Sequence, residues 1–319
     1  MKKIVSLIMV LIMCCGLFAC GDSENKTAGA DSGNNDANNN QSDGSGDFAI
    51  EGSAKSENDY FKWSETTDTI IVGYTEKGLQ QTELVIPAEC TTVMQLDENP
   101  TVKKITFEND DTVILSGTFS KCSSLESVAL PANLTKIETY VFSGCSSLKS
   151  IDIPKSVTEI DNSAFKDCVS LTTVNFNSKL ETISLNVFEG CSALDNVVIP
   201  NSVTLIEGSA FLKCAKLQNL TFGTGIKTID KFAFNECDSL KEVKLCEGVE
   251  VIGKSAFKGC DSIESIYLPA SLKSIRADSL EQKHKYSVYV VKGSYADTEI
   301  DNIKTSNKTG SEYIEKKYQ

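Results

Sequence analysis

Leu148-Lys149-Ser150-Ile151-Asp152-Ile153-Pro154 opens a unit that runs on through Val157 and Ile160 to Ser163-Ala164-Phe165-Lys166-Asp167-Cys168. Ile151 and Ile153 alternate with polar neighbours, which predicts a short strand with one buried face. Pro154 ends it, because proline cannot donate to a ladder of backbone hydrogen bonds. Val157 and Ile160 begin a second buried stretch. Ala164, Phe165 and Cys168 then fit the inward face of a short helical turn.

Outward from this unit the same residues return every 23 positions. Phe119, Phe142, Phe165, Phe188, Phe211, Phe234 and Phe257 keep that step, and Cys122, Cys145, Cys168, Cys191, Cys214, Cys237 and Cys260 follow three positions behind them. Leu125 through Ile263 and Ile137 through Ile275 hold the same register. A fixed period of this length marks a solenoid, each unit stacked on the last. At a coil spacing of about 4.8 Å, parallel sheets should run along the stack. The expected class is α/β, strand-rich: a leucine-rich-repeat solenoid of stacked 23-residue coils with short helical turns.

These residues resemble the BspA-like leucine-rich repeats of bacterial surface proteins. That pattern is Leu-x-x-Ile-x-Leu-Pro, a short Val-x-x-Ile segment, then Ala-Phe-x-x-Cys. The resemblance covers roughly residues 79–280. Asn177, Gly223 and Cys246 depart from it in place of the strand-ending proline, and Leu280 in place of the next phenylalanine. It implies binding to host matrix proteins, mucins or neighbouring bacteria, without choosing among them.

The flanks read differently. Lys2 and Lys3 precede an uncharged run from Ile4 to Phe18, the form of a secretory signal over residues 1–19. Leu17-Phe18-Ala19-Cys20 resembles a bacterial lipobox, which implies cleavage before Cys20 and diacylglyceryl attachment to its thiol. Residues 20–59 hold almost nothing apolar, and such a segment cannot offset its ordering entropy. It reads as a tether of roughly 35 Å mean span. Asp36, Asn38 and Asn40 suggest a calcium loop, but Gln41 stands where that loop needs glycine. Residues 60–95 read as an N-terminal cap and divergent repeat, with Phe61 and Trp63 shielding the first coil; 96–280 as the solenoid; 281–319 as a closing strand, Tyr286–Val290, and a polar tail. Whether that tail docks stays open.

Chemistry is sparse. Neighbouring ladder cysteines could approach disulfide distance, but chelating Cys-x-x-Cys spacings are absent, and buried cysteine packs as a small hydrophobe. They are expected to be structural, reduced thiols; Cys90 and Cys246 lie off the ladder. Gly248 to Ser255 matches a phosphate-loop pattern literally, yet its Val249 and Ile252 are repeat core positions. His284, the single histidine, reads as a surface residue between Lys283 and Lys285 and rules out a two-histidine zinc site. No catalytic residue, metal or cofactor is expected. The net charge of −13 disfavours nucleic acid and anionic lipid, so the membrane should be met only through the acyl anchor.

Function is therefore expected on the surface. The outward strand positions give a candidate binding face of Asp152, Asn175, Asn196, Asn219, Glu242, Lys244 and Tyr267. Lys244 and Tyr267 are its most probable anchors by residue type. The expected protein is a monomeric cell-surface lipoprotein adhering to an extracellular protein or glycan. A scaffold for the bacterium's own envelope is the alternative, and a carboxylate-dependent enzyme a distant third.

Overall fold

The computed structural model describes residues 52–53, 55, 59–276, 278–305 and 311–319. The signal, Cys20 and most of the tether lie outside the described residues. Within them, successive coils are joined by three rows of backbone hydrogen bonds. Strands such as Ser150–Ile153, Thr173–Phe176, Glu242–Lys244 and Ser265–Tyr267 form a long-strand row. Pairing is parallel and offset by one repeat, so Ile151 lies beside Val174 and Val243 beside Ile266. Their side chains are buried, while the alternate residues point out. A second row consists of two-residue strands, Thr182–Ile183 through Ser274–Ile275 forming one five-stranded parallel sheet.

The third row differs from the expected helical turn. Each Ala-Phe-x-x-Cys segment is a chain of tight turns whose amides donate onward to the next coil: Phe142 to the Ala164 carbonyl at 2.8 Å, Phe165 to Val187 at 3.0 Å, Phe188 to Ala210 at 2.8 Å. Two residues per coil adopt left-handed backbone, for instance Ser163 (φ 57°) and Asp167 (φ 58°). Those reversals aim alternate N–H groups out of the coil, so no helix can propagate. The strain, about 1–2 kcal/mol per non-glycine residue, is offset by a continuous inter-coil ladder.

Seven phenylalanines, Phe119 to Phe257, fill the interior behind this row in one stack. Adjacent ring centroids lie 5.1–5.7 Å apart with planes within 20°. Identical residues in identical places one coil apart leave the rings no other packing.

Both ends are closed. Phe61–Ser64 and Ile70–Tyr74 form an antiparallel pair that continues into Thr92–Val93, burying Phe61, Trp63, Ile71 and Tyr74. At the other end Tyr286–Val290 adds to Ser265–Tyr267 as expected, but it is not the last strand. The polar tail docks: Ile314–Tyr318 pairs with Tyr286–Val290 in parallel, and helix Tyr295–Thr305 buries Ala296, Ile300 and Ile303 over the final coil. Alternation in the tail is masked by lysines, of which Lys316 is held by Asp297 at 2.8 Å and by Asp301.

Candidate binding surface

Outward positions along the long-strand row form two columns. Asp152, Asn175, Val198, Thr221, Lys244 and Tyr267 make one; Asn196, Asn219, Glu242 and Ser265 lie in the other. Asp152, Asn175, Asn196, Asn219, Glu242 and Lys244 are exposed and Tyr267 is half-buried. The structure brings them together as two clusters rather than one continuous face.

The first cluster surrounds Asp152 and Asn175. They are register partners, and the Asn175 amide donates to the Asp152 carboxylate at 2.6 Å. Asn196 lies across a gap on the next coil, and Asn219 beyond it is paired to Asn196 through the backbone. Among the described residues no backbone bond joins Thr173–Phe176 to Asn196–Val198, or Asn219–Thr221 to Glu242–Lys244. Phe176 or Phe222 closes the strand segment before each of these breaks, with Asn177 or Gly223 in the proline place, whereas a third break, between Ser127–Val128 and Ser150–Ile153, follows Leu130 and Pro131. Each ring stands edge-on to Phe188 or Phe234 of its own coil, at 6.0 and 5.7 Å.

The second cluster is at the C-terminal end. Lys244, Tyr267, Tyr289 and Lys317 are register partners across four strands. The tyrosines stack with centroids 4.4 Å apart and planes at 6°. The Lys244 ammonium lies 5.4 Å from the Tyr267 ring and the Lys317 ammonium 5.7 Å from the Tyr289 ring. Glu242, Ser265, Ser287 and Glu315 form the parallel row, with Glu242 on Lys244 at 2.6 Å and Lys317 donating to Ser287 at 2.7 Å. The Glu242 hydrogen bond holds the Lys244 ammonium above lysine's usual range. Tyr289 and Lys317 escape a reading by period, because the steps from Tyr267 to Tyr289 and on to Lys317 leave the repeat. The Tyr286–Val290 alternation was the available signal for the first; nothing local marks the second.

Elsewhere the polar groups are committed to the fold. Each thiol from Cys145 to Cys260 donates to the phenylalanine carbonyl of the preceding coil at 3.1–3.3 Å. Burial pushes Cys122 up to about 11 and holds Cys145, Cys168, Cys191, Cys214 and Cys237 well above the usual thiol range. Cys246 donates to Gly223 at 3.2 Å and Cys90 to Thr92 at 3.3 Å. Val249 and Ile252 of the phosphate-loop-like segment are buried, with Ile252 in a short strand. His284 differs from the solvated residue expected: its ring is half-buried and donates to the Ile263 carbonyl at 2.6 Å. Among the described residues, no three His, Cys, Asp or Glu side chains are placed to hold a metal. Among them, too, no helix is long and apolar enough to cross a membrane.

The family model for the BspA type leucine-rich repeat region matches six copies, over residues 94–217 and 158–287. The chain belongs to this family. BspA-type repeats thus span both clusters, apart from the closing tail that brings Tyr289 and Lys317. No curated protein matches the chain. Among solved structures it is similar to a leucine-rich repeat protein of T. pallidum, at 30% identity over 64% of this chain and 88% of that one, TM-score 0.47. A leucine-rich repeat protein from Eubacterium ventriosum shares 24% identity over 57% of this chain and 59% of that one, TM-score 0.46. A leucine rich cell surface protein from Faecalibacterium prausnitzii shares 20% over 75% and 94%, TM-score 0.37.

Proposed function

We propose that this BspA-type chain is a non-catalytic recognition scaffold, anchored through an acylated Cys20 at the cell surface and binding an extracellular protein or glycan. The row Lys244–Tyr267–Tyr289–Lys317 supports this reading most. Two stacked rings covered by lysines on their outer faces present a rigid edge of hydroxyl and ammonium groups, at low entropic cost for immobilisation. Tyrosine is also the side chain most often found among binding hot spots, with tryptophan and arginine. The remaining strand face supplies a mostly neutral, hydrogen-bonding surface around it.

The test is binding of the full-length chain in detergent to immobilised matrix proteins, mucins and envelope fractions. Saturable binding to an extracellular component is expected, weakened tenfold or more by Tyr267→Ala. Binding to envelope material alone would replace adhesion by the envelope-scaffold reading, and silence towards all three would end both. Cys20→Ser is expected to abolish palmitate labelling and release the chain from membranes.

A further inference from the structure

The gap between Thr173–Phe176 and Asn196–Val198 forms a depression, half open to solvent, of about 500 Å³. Its polar lining is Asp152, Thr173, Asn175, Asn177, Asp195 and Asn196. Val198 stands beside them 56% exposed, the most exposed large apolar side chain among the described residues. No backbone hydrogen bond crosses between the two strands.

We propose that this cleft binds a short neutral glycan, resting on the recognition function proposed above. Carboxamides offer donor and acceptor side by side, matching adjacent sugar hydroxyls, and carboxylates accept from two hydroxyls at once. Asp152 fixes the Asn175 amide at 2.6 Å, which leaves the Asn175 carbonyl oxygen to accept from ligand. Val198 and the edge of Phe176 supply apolar contact for a ring's C–H face. No lysine or arginine lines the cleft, and Asp152 and Asp195 repel acidic sugars.

A peptide strand is the rival occupant of an open strand edge. The other two rows oppose it. Thr182 and Ile183 remain paired with Leu205 and Ile206, and Asn186, Phe188 and Gly190 still donate to the next coil at 2.8–3.1 Å. The coils are pinned at both other sides, so they cannot part by the additional 4.8 Å or so that a strand needs.

The experiment is an array of neutral disaccharides and their uronic or sialylated counterparts probed with the full-length chain, followed by calorimetric titration. Neutral glycans should bind, and Asn175→Ala or Asn196→Ala should weaken them at least tenfold with thermal unfolding unchanged. Asp152→Asn should narrow the preference for neutral over acidic sugars. Equal binding of both sugar classes, or binding indifferent to Asn175 and Asn196, overturns the cleft. If protein ligands bind through Tyr267 while no glycan does, the cleft fails and the scaffold stands; if nothing binds, both fall.

Discussion

The phenylalanine–cysteine corner and the long-strand face are built from the same coils, yet one repeats without interruption and the other does not. At the corner every coil carries the same ring, thiol and carbonyl contact. On the strand face the backbone ladder breaks three times and the outward residues change from coil to coil. The corner holds the stack together, which frees the opposite face to vary in shape and chemistry. A solenoid held by nearest-neighbour contacts tolerates that division, provided one row stays intact.

The largest expected effect tests the corner by pH. Burial raises the Cys145, Cys168, Cys191, Cys214 and Cys237 thiols above 9.0, the unfolded value. The folded state therefore binds more protons than the unfolded one above that pH, and the stability these thiols contribute is present below about pH 9 and lost as pH rises. Each should cost on the order of 1 kcal/mol per pH unit above that pH. Denaturant midpoints measured between pH 8 and 10.5 should fall steeply; a flat profile would mean that the thiols are not buried as described.

Next in size, Phe188→Ala removes a ring stacked between Phe165 and Phe211 at 5.5 and 5.4 Å. It should lose about 3–5 kcal/mol in urea unfolding, and two transitions in place of one would show the stack splitting at that coil. Smaller still, and of opposite sign, Lys213→Gly relieves a left-handed residue at φ 62° where the preceding coil already carries Gly190 and other coils Gly144 and Gly259. Relief of strain should outweigh the glycine entropy by about 0.5–1 kcal/mol. A lower melting temperature would refute that. On the strand face, Asn219→Ala should change stability by less than about 0.5 kcal/mol; a larger loss would erase the contrast between the two regions.

Most of the fold was legible because its determinants are local and periodic. Phe165 and Cys168 are separated by one turn, Ile151 and Ile153 by one pleat, and repetition makes each assignment seven times over. The turn row was misjudged in detail, since apolar spacing alone cannot distinguish a helical turn from alternating left- and right-handed residues. The C-terminal end was less legible because it leaves the period. Gln282 shows why. It stands one place short of the next cysteine position, yet its amide donates to the Phe257 carbonyl at 2.6 Å and ends the thiol ladder with a different chemistry.

The candidate surface divides in the same way. That Asp152, Asn175, Lys244 and Tyr267 point outward follows from alternation along single strands. That Tyr289 and Lys317 complete a row with Lys244 and Tyr267 depends on pairing across an irregular tail. The cleft beside Asn196 lies where Thr173–Phe176 and Asn196–Val198 do not pair, which no local residue pattern marks. Sequence by itself determined the coil, its buried positions and its outward ones, because period and polarity act within a few residues. Tertiary structure alone decided which coils open and which outward side chains meet, because those depend on packing between residues that no fixed spacing relates.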